Sequence, residues 1–148
     1  MSTPTHHLSA TARSFVQPLS STPRGARLGR LLAGEQLRAW AVPRDQAERA
    51  EHVVAELAAN AALHGHHSQR DFRLALMFHP MSGVLRVEVT DTRGVHALPE
   101  HPSPPHPDHE SGRGLLLVDA LADRWGTDPH PPTGKTVWAE LLHRRDAT

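Results

Sequence analysis

Between residues 72 and 90 large apolar side chains recur with a period of two, which points to a sheet with one apolar face. Phe72, Leu74, Leu76 and Phe78 alternate with Arg73, Ala75 and Met77, and Leu85, Val87 and Val89 then mark one side of a second strand. Residues two apart in a strand share a face. Ser82-Gly83 supplies the turn between the two strands, and the second strand ends on Asp91. The preceding sequence offers helices as cover. Thr22-Pro23 reads as an N-cap followed by proline at the first helical position, opening a helix to about Ala41 whose buried stripe is Ala33, Leu37, Trp40 and Ala41. Pro43 ends it. A second helix is expected from about Arg44 to Leu63, where Ala47, Ala50, Val54, Leu57, Ala58 and Ala61 follow the helical period and Gly65 is placed to stop it.

The rest of the chain extends the same plan. Met1 to Thr11 read as a polar tail, and Arg13 to Leu19 as a short edge strand, because Pro18 removes a ladder donor. From Val95 to Ser111 five prolines mixed with histidines and acidic residues break every regular pattern, so this stretch is expected to be a lid or a disordered insertion. Leu115, Leu116, Val118, Ala120 and Leu121 suggest a short helix opening at Gly112. Asp123 to Thr127 then turns into the sheet, and Thr136 to Leu142 forms a last strand. The expected order is strand, helix, helix, strand, strand, lid, helix, strand, strand.

A chain of 148 residues with 38% apolar content buries one sizeable core, so residues 12–148 are expected to form a single domain. Sixteen basic residues against sixteen acidic ones cancel, which supplies no long-range attraction for nucleic acid or an anionic membrane. Without cysteine there is no disulfide framework, thiolate nucleophile or cysteine-held metal. No apolar run approaches the ~20 residues that cross a bilayer, and no basic segment precedes an apolar stretch as in a signal peptide. The expectation is a cytoplasmic protein.

Several residues have the types and spacings that carry chemistry. Glu56 and Asn60 lie four apart on the second helix and share a face, and His64 extends the row by one turn. An asparagine inside a helix is unfavourable by propensity and asks for a tertiary reason. Spacing alone leaves two readings. Either the pair is a solvated polar edge, or Asn60 offers an oxygen to a hard cation while Glu56 orients or deprotonates a hydroxyl or water. Asp91, followed by Thr92-Arg93-Gly94, is either a capped turn or a carboxylate that accepts a hydrogen bond from an exocyclic amine, with Gly94 allowing close approach. Gly112-Arg113-Gly114 is either a loop turn or a helix start whose free amides seat an anion, with Arg113 adding positive charge. Gly134-Lys135-Thr136 lacks the earlier glycine of a phosphate loop and leads into a strand. His101, His106 and His109, with Asp108 and Glu110, show no zinc spacing and are expected to stay in water. Trp125 and Trp138 read as core or edge packing.

In order, Glu56-Leu-Ala-Ala-Asn60, Val89-Thr-Asp91-Thr-Arg-Gly94, Gly112-Arg-Gly114 and Gly134-Lys-Thr136 resemble the nucleotide-binding boxes of the GHKL superfamily. The resemblance runs from about Arg13 onward and is strongest to bacterial anti-sigma-factor serine/threonine switch kinases and the small actinobacterial ATP-binding regulators. It implies the Bergerat fold, an α/β two-layer sandwich with a mixed, mostly antiparallel sheet and helices packed on one face. ATP and Mg2+ are the implied cofactors. By position, the resemblance implies that Asn60 reaches magnesium and the phosphates, and that Glu56 activates the attacking water or protein hydroxyl. Asp91 is implied to receive the adenine amine, with His64 and Gly94 in the same nucleotide seat. Gly112 and Gly114, with Arg113 between them, match lid residues around the phosphates, and Thr136 matches a hydroxyl residue near adenine, adjoined by Lys135. One position departs from the pattern: the family's usual glycine two residues after the aspartate is Arg93 here, with Gly94 one place later, which implies a reshaped adenine loop. The length leaves no room for a separate phosphoacceptor helix pair. The resemblance therefore implies a free-standing kinase acting on an anti-anti-sigma-like partner, with a sigma factor as a further partner and no direct nucleic-acid or membrane partner. A non-catalytic ATP-sensing interaction module is the alternative, and the sequence leaves a homodimer open.

Overall fold

Thr22 opens the first helix as its sequence predicts, its Oγ1 accepting the Gly25 amide at 3.0 Å just ahead of a first turn that begins with Pro23. The computed structural model describes residues 12–65, 71–91 and 110–144. Within these the elements are β1 (Arg13–Ser20), α1 (Pro23–Ala39), α2 (Arg44–Gly65), β2 (Asp71–His79), β3 (Val84–Asp91), α3 (Glu110–Leu121), β4 (Arg124–His130) and β5 (Gly134–Leu141). The polar tail to Thr11, Arg93, Gly94, His101, His106 and His109, and residues 95–109 of the expected lid lie outside the described residues.

The strands lie in the order β1-β2-β3-β5-β4. The expected mixed, mostly antiparallel sheet is antiparallel at every described pair. Its registers align the apolar alternation across the sheet: Leu76 pairs with Val87 and Val87 with Ala139, while Leu85 pairs with Leu141. All five of these side chains are buried, together with Ala33 and Leu37 of α1 and Ala50, Val53, Val54, Leu57 and Ala58 of α2. The molecule is thus a two-layer α/β sandwich, with α2 lying on β2, β3 and β5 between α1 and α3. No described helix is long and apolar enough to cross a membrane.

The differences from expectation have local causes. α1 stops at Ala39 rather than running to Ala41, because Ala41 adopts φ 56° and the chain closes with Ala41 N–H on Arg38 O and Val42 N–H on Leu37 O. This is the pattern of a left-handed helix cap. α3 begins at Glu110, so Glu110 and Ser111 of the expected lid are helical. Trp125 packs against the core and donates to Asp119 Oδ1 at 2.8 Å. Trp138 lies on the sheet face away from the helices, with the Arg86 guanidinium 4.4 Å above its ring.

Candidate functional site

Arg49, Glu56 and Asn60 stand at i, i+7 and i+11 on α2, which on a helix of 3.6 residues per turn places them along one row. Arg49 shows what that row faces. Its Nη1 donates to Leu121 O, the last carbonyl of α3, at 3.0 Å. α3 packs along α2. With its C-terminus at Arg49 and 12 residues of length, ~18 Å of helix, its first turn extends toward the level of Asn60, itself ~16 Å along α2 from Arg49.

The sheet is indexed to the same end by Gln46. Its Nε2 donates to Gly83 O and to Leu141 O, each at 2.7 Å, which fixes the start of α2 over the start of β3 and the end of β5. α2 and β3 then advance in the same direction. The eight residues of β3 rise ~26 Å, so Asp91 comes level with the α2 turn that holds Asn60 and His64. Asp91 follows Leu85, Val87 and Val89 on the helix-facing side, pairs with Phe72 and is only 7% exposed. Glu56 and Asn60 are half-buried at the border of the apolar stripe.

The period of two separates the remaining strand candidates. Lys135 is the cross-strand partner of Asp91 and Thr136 that of Thr90, and the Thr136 and Thr90 hydroxyls hydrogen-bond at 2.8 Å. Thr136 therefore stands on the opposite face of the sheet from Asp91, and the residue that shares Asp91's face and register is Lys135, which is exposed. The buried alternation of Ala139 and Leu141 carried that signal in the sequence. In α3, Gly112 is the third residue and belongs to the helix start, whose amides have no intrahelical acceptor. Arg113 and Gly114 are the fourth and fifth, positions whose amides are taken up by the helix ladder, as those of Ala26 in α1 and Ala47 in α2 are. His64 lies in the last turn of α2.

Sequence reasoning missed Arg49, although its spacing from Glu56 and Asn60 was visible. Its Nη2 also bonds Asp45 Oδ2 at 3.3 Å. Burial acts to raise the Asp45 pKa, but hydrogen bonds from Arg49, the Arg144 amide and His143 outweigh it and hold the carboxyl below its ordinary value.

One end of the molecule thus presents a buried acceptor-only carboxylate at Asp91, hard oxygen groups at Asn60 and Glu56, and helix-start amides across from them. That donor set suits an amine-bearing base and a magnesium-bound phosphate chain, since carboxylate and amide oxygens are hard ligands. Residues 19–141 match the family model described as histidine kinase-like ATPase domain. The chain belongs to that family. As a histidine kinase-like ATPase domain it is an ATP-binding domain of the GHKL type. Its fold is similar to the crystal structure of the RsbU and RsbW domains of Rv1364c from Mycobacterium tuberculosis, with a TM-score of 0.66 at 19% identity over 88% of this chain and 32% of that one. The chain spans about a third of that relative's length, and at this identity the likeness concerns the fold. No curated protein matches.

Proposed function

We propose that this ATP-binding domain is a protein serine/threonine kinase of the anti-sigma-factor type, which passes the ATP γ-phosphoryl group to a hydroxyl on a small anti-anti-sigma-like partner and controls a sigma factor by partner exchange. The observation that supports it best is the α2 row that turns Glu56 and Asn60 toward α3 at the level of buried Asp91. Asp91 accepts the adenine amine, with Lys135 bordering the base. Asn60 would hold Mg2+, and the α3 helix start, with the free amide of Gly112, would face the phosphate oxygens. Magnesium, when bound, supplies positive charge against the crowded phosphate oxygens. Glu56 takes the proton of the partner's hydroxyl as that oxygen forms its bond to the γ-phosphorus, while the bridging P–O bond breaks and its electron pair leaves with ADP.

Asn60 and Glu56 then have separable jobs. Asn60→Ala is expected to weaken magnesium-dependent ATP binding and turnover together, because it removes a cation ligand. Glu56→Ala is expected to keep binding while phosphoryl transfer falls by roughly 10²-fold or more, the scale of a positioned general base. Calorimetry with a non-hydrolysable ATP analogue and transfer of labelled phosphate to a co-purified partner measure the two. A wild type that binds ATP but never labels a verified partner ends the kinase reading and leaves a nucleotide-sensing interaction module.

A further inference from the structure

We infer that Arg49 is a positioning residue for the nucleotide site, pinning the C-terminus of α3 to α2 and thereby setting how the first turn of α3 meets Glu56 and Asn60. The inference rests on the nucleotide-binding part of the function proposed above. The guanidinium joins four parts of the fold. It extends from α2, donates through Nη1 to Leu121 O at 3.0 Å, lies 3.6 Å from Asp123 Oδ2 in the turn before β4, and donates through Nη2 to Leu142 O after β5. Leu121 O is one of the last four carbonyls of α3, which have no amide partner inside the helix and attract positive charge. The Arg49 side chain is only 11% exposed, so water does not readily take its place as it would at an exposed ion pair. Arg144 adds a more exposed second contact to the same carbonyl, at 3.4 Å.

Among the described residues, apolar packing of α3 is sparse. Between Leu115 and Leu121 only Val118 is fully buried, while Leu116 and Leu117 are exposed. Leu121 packs partly buried against the core and Trp125 bonds Asp119, so the described contacts of α3 gather in its C-terminal half, where the Arg49 bond helps set the direction in which its first turn extends. The pin lies ~16 Å along α2 from Asn60 and touches none of the proposed nucleotide ligands. The base seat at Asp91 and Lys135 belongs to β3 and β5 and is not carried by α3. Loss of the pin should therefore act on the phosphates and spare the base.

The test uses the full chain with Arg49→Met, which keeps the apolar stem, and Arg49→Lys, which keeps the charge but not the planar fork. Affinity for a non-hydrolysable ATP analogue is measured by calorimetry, affinity for adenosine by ligand-observed NMR, and folding by circular dichroism. Arg49→Met is expected to weaken the analogue by roughly tenfold or more with adenosine affinity unchanged, a misplaced seat being costly even at small displacement. Arg49→Lys is expected to fall in between, and it carries the test if the methionine variant does not fold. Analogue affinity within twofold of wild type in the folded variants overturns the inference, as does an equal loss for analogue and adenosine. A wild type that does not bind the analogue overturns the nucleotide reading with it, whereas a wild type that binds without transferring phosphate ends only the kinase reading.

Discussion

Gln46 is fully buried although its side chain is polar, and its two hydrogen bonds explain why. By donating to Gly83 O and Leu141 O it satisfies two carbonyls where the β2–β3 turn and the end of β5 meet below α2. Gln46→Leu leaves both without that donor, and each buried unsatisfied group costs ~1–3 kcal/mol. Urea unfolding at pH 7 should show a loss of ~1–3 kcal/mol, less than the sum for two carbonyls because leucine also removes Gln46 Oε1, which is buried without a partner. Gln46→Glu removes the same donors and buries a charge, so its loss at pH 7 should be larger. Burial raises the folded-state pKa of a carboxyl above its unfolded value. That variant should therefore regain stability as the pH falls through the folded pKa, whereas Gln46→Leu shows no such recovery. The same kind of contact made Arg49 invisible to a search for apolar periodicity, since both side chains are buried for their donors. Glu56, Asn60 and Asp91 were legible because spacing and a strand end place them without any knowledge of contacts. The face on which Thr136 stands was not read, because its motif was taken without the alternation of the strand, which sets Thr136 beside Thr90 and Lys135 beside Asp91.

At the scale of elements, helix starts were easier to read than helix ends. Thr22 and Pro23 announce α1 by chemistry specific to an N-terminus. Its end is set by Val42, which is buried beside Leu37 and pulls the chain round through Ala41 two residues before Pro43. Tertiary burial makes that decision, and the local sequence carries no glycine to advertise it. Ala41 at φ 56° occupies a region where a Cβ is unfavourable by ~1–2 kcal/mol. Glycine relieves that strain but adds ~0.4–1 kcal/mol of unfolded-chain entropy. Ala41→Gly is therefore expected to stabilise the protein by ~0.5–1 kcal/mol, read as a higher urea midpoint with an unchanged slope. A lower midpoint would mean that the Ala41 methyl contributes packing that outweighs its backbone strain.

For the whole molecule, the sheet has two unlike faces, and only the apolar one was evident from the sequence. The face away from the helices is tied across strands by ion pairs: Arg86 reaches Glu88 at 2.7 Å and Glu140 at 3.0 Å, and Arg124 Nε reaches Glu140 at 3.1 Å. Three strands meet in that network, β3, β5 and β4, because the registers set Arg86 and Arg124 on either side of Glu140. The Arg124 hydrogen bond is the largest influence on Glu140; burial opposes it, but Arg86 adds to it, and the carboxyl is held below its ordinary value of 4.5. A carboxyl with a depressed folded pKa binds its proton more weakly in the folded than in the unfolded state. Its stabilisation is therefore complete above the unfolded pKa and is lost as the pH falls through the folded one. Urea midpoints measured between about pH 7 and pH 3 should decline on the acid side for the wild type, with Asp45 contributing in the same sense from the α2 end. Glu140→Gln should be less stable than wild type at pH 7, and the gap should begin to narrow as the pH falls below about 4.5, where the unfolded carboxyl takes up its proton, and go on narrowing until the folded carboxyl does so too. A gap that stays constant down to pH 3 would show that Glu140 stabilises the sheet by shape and neutral hydrogen bonding, and that charge on the open face does not hold the three strands together.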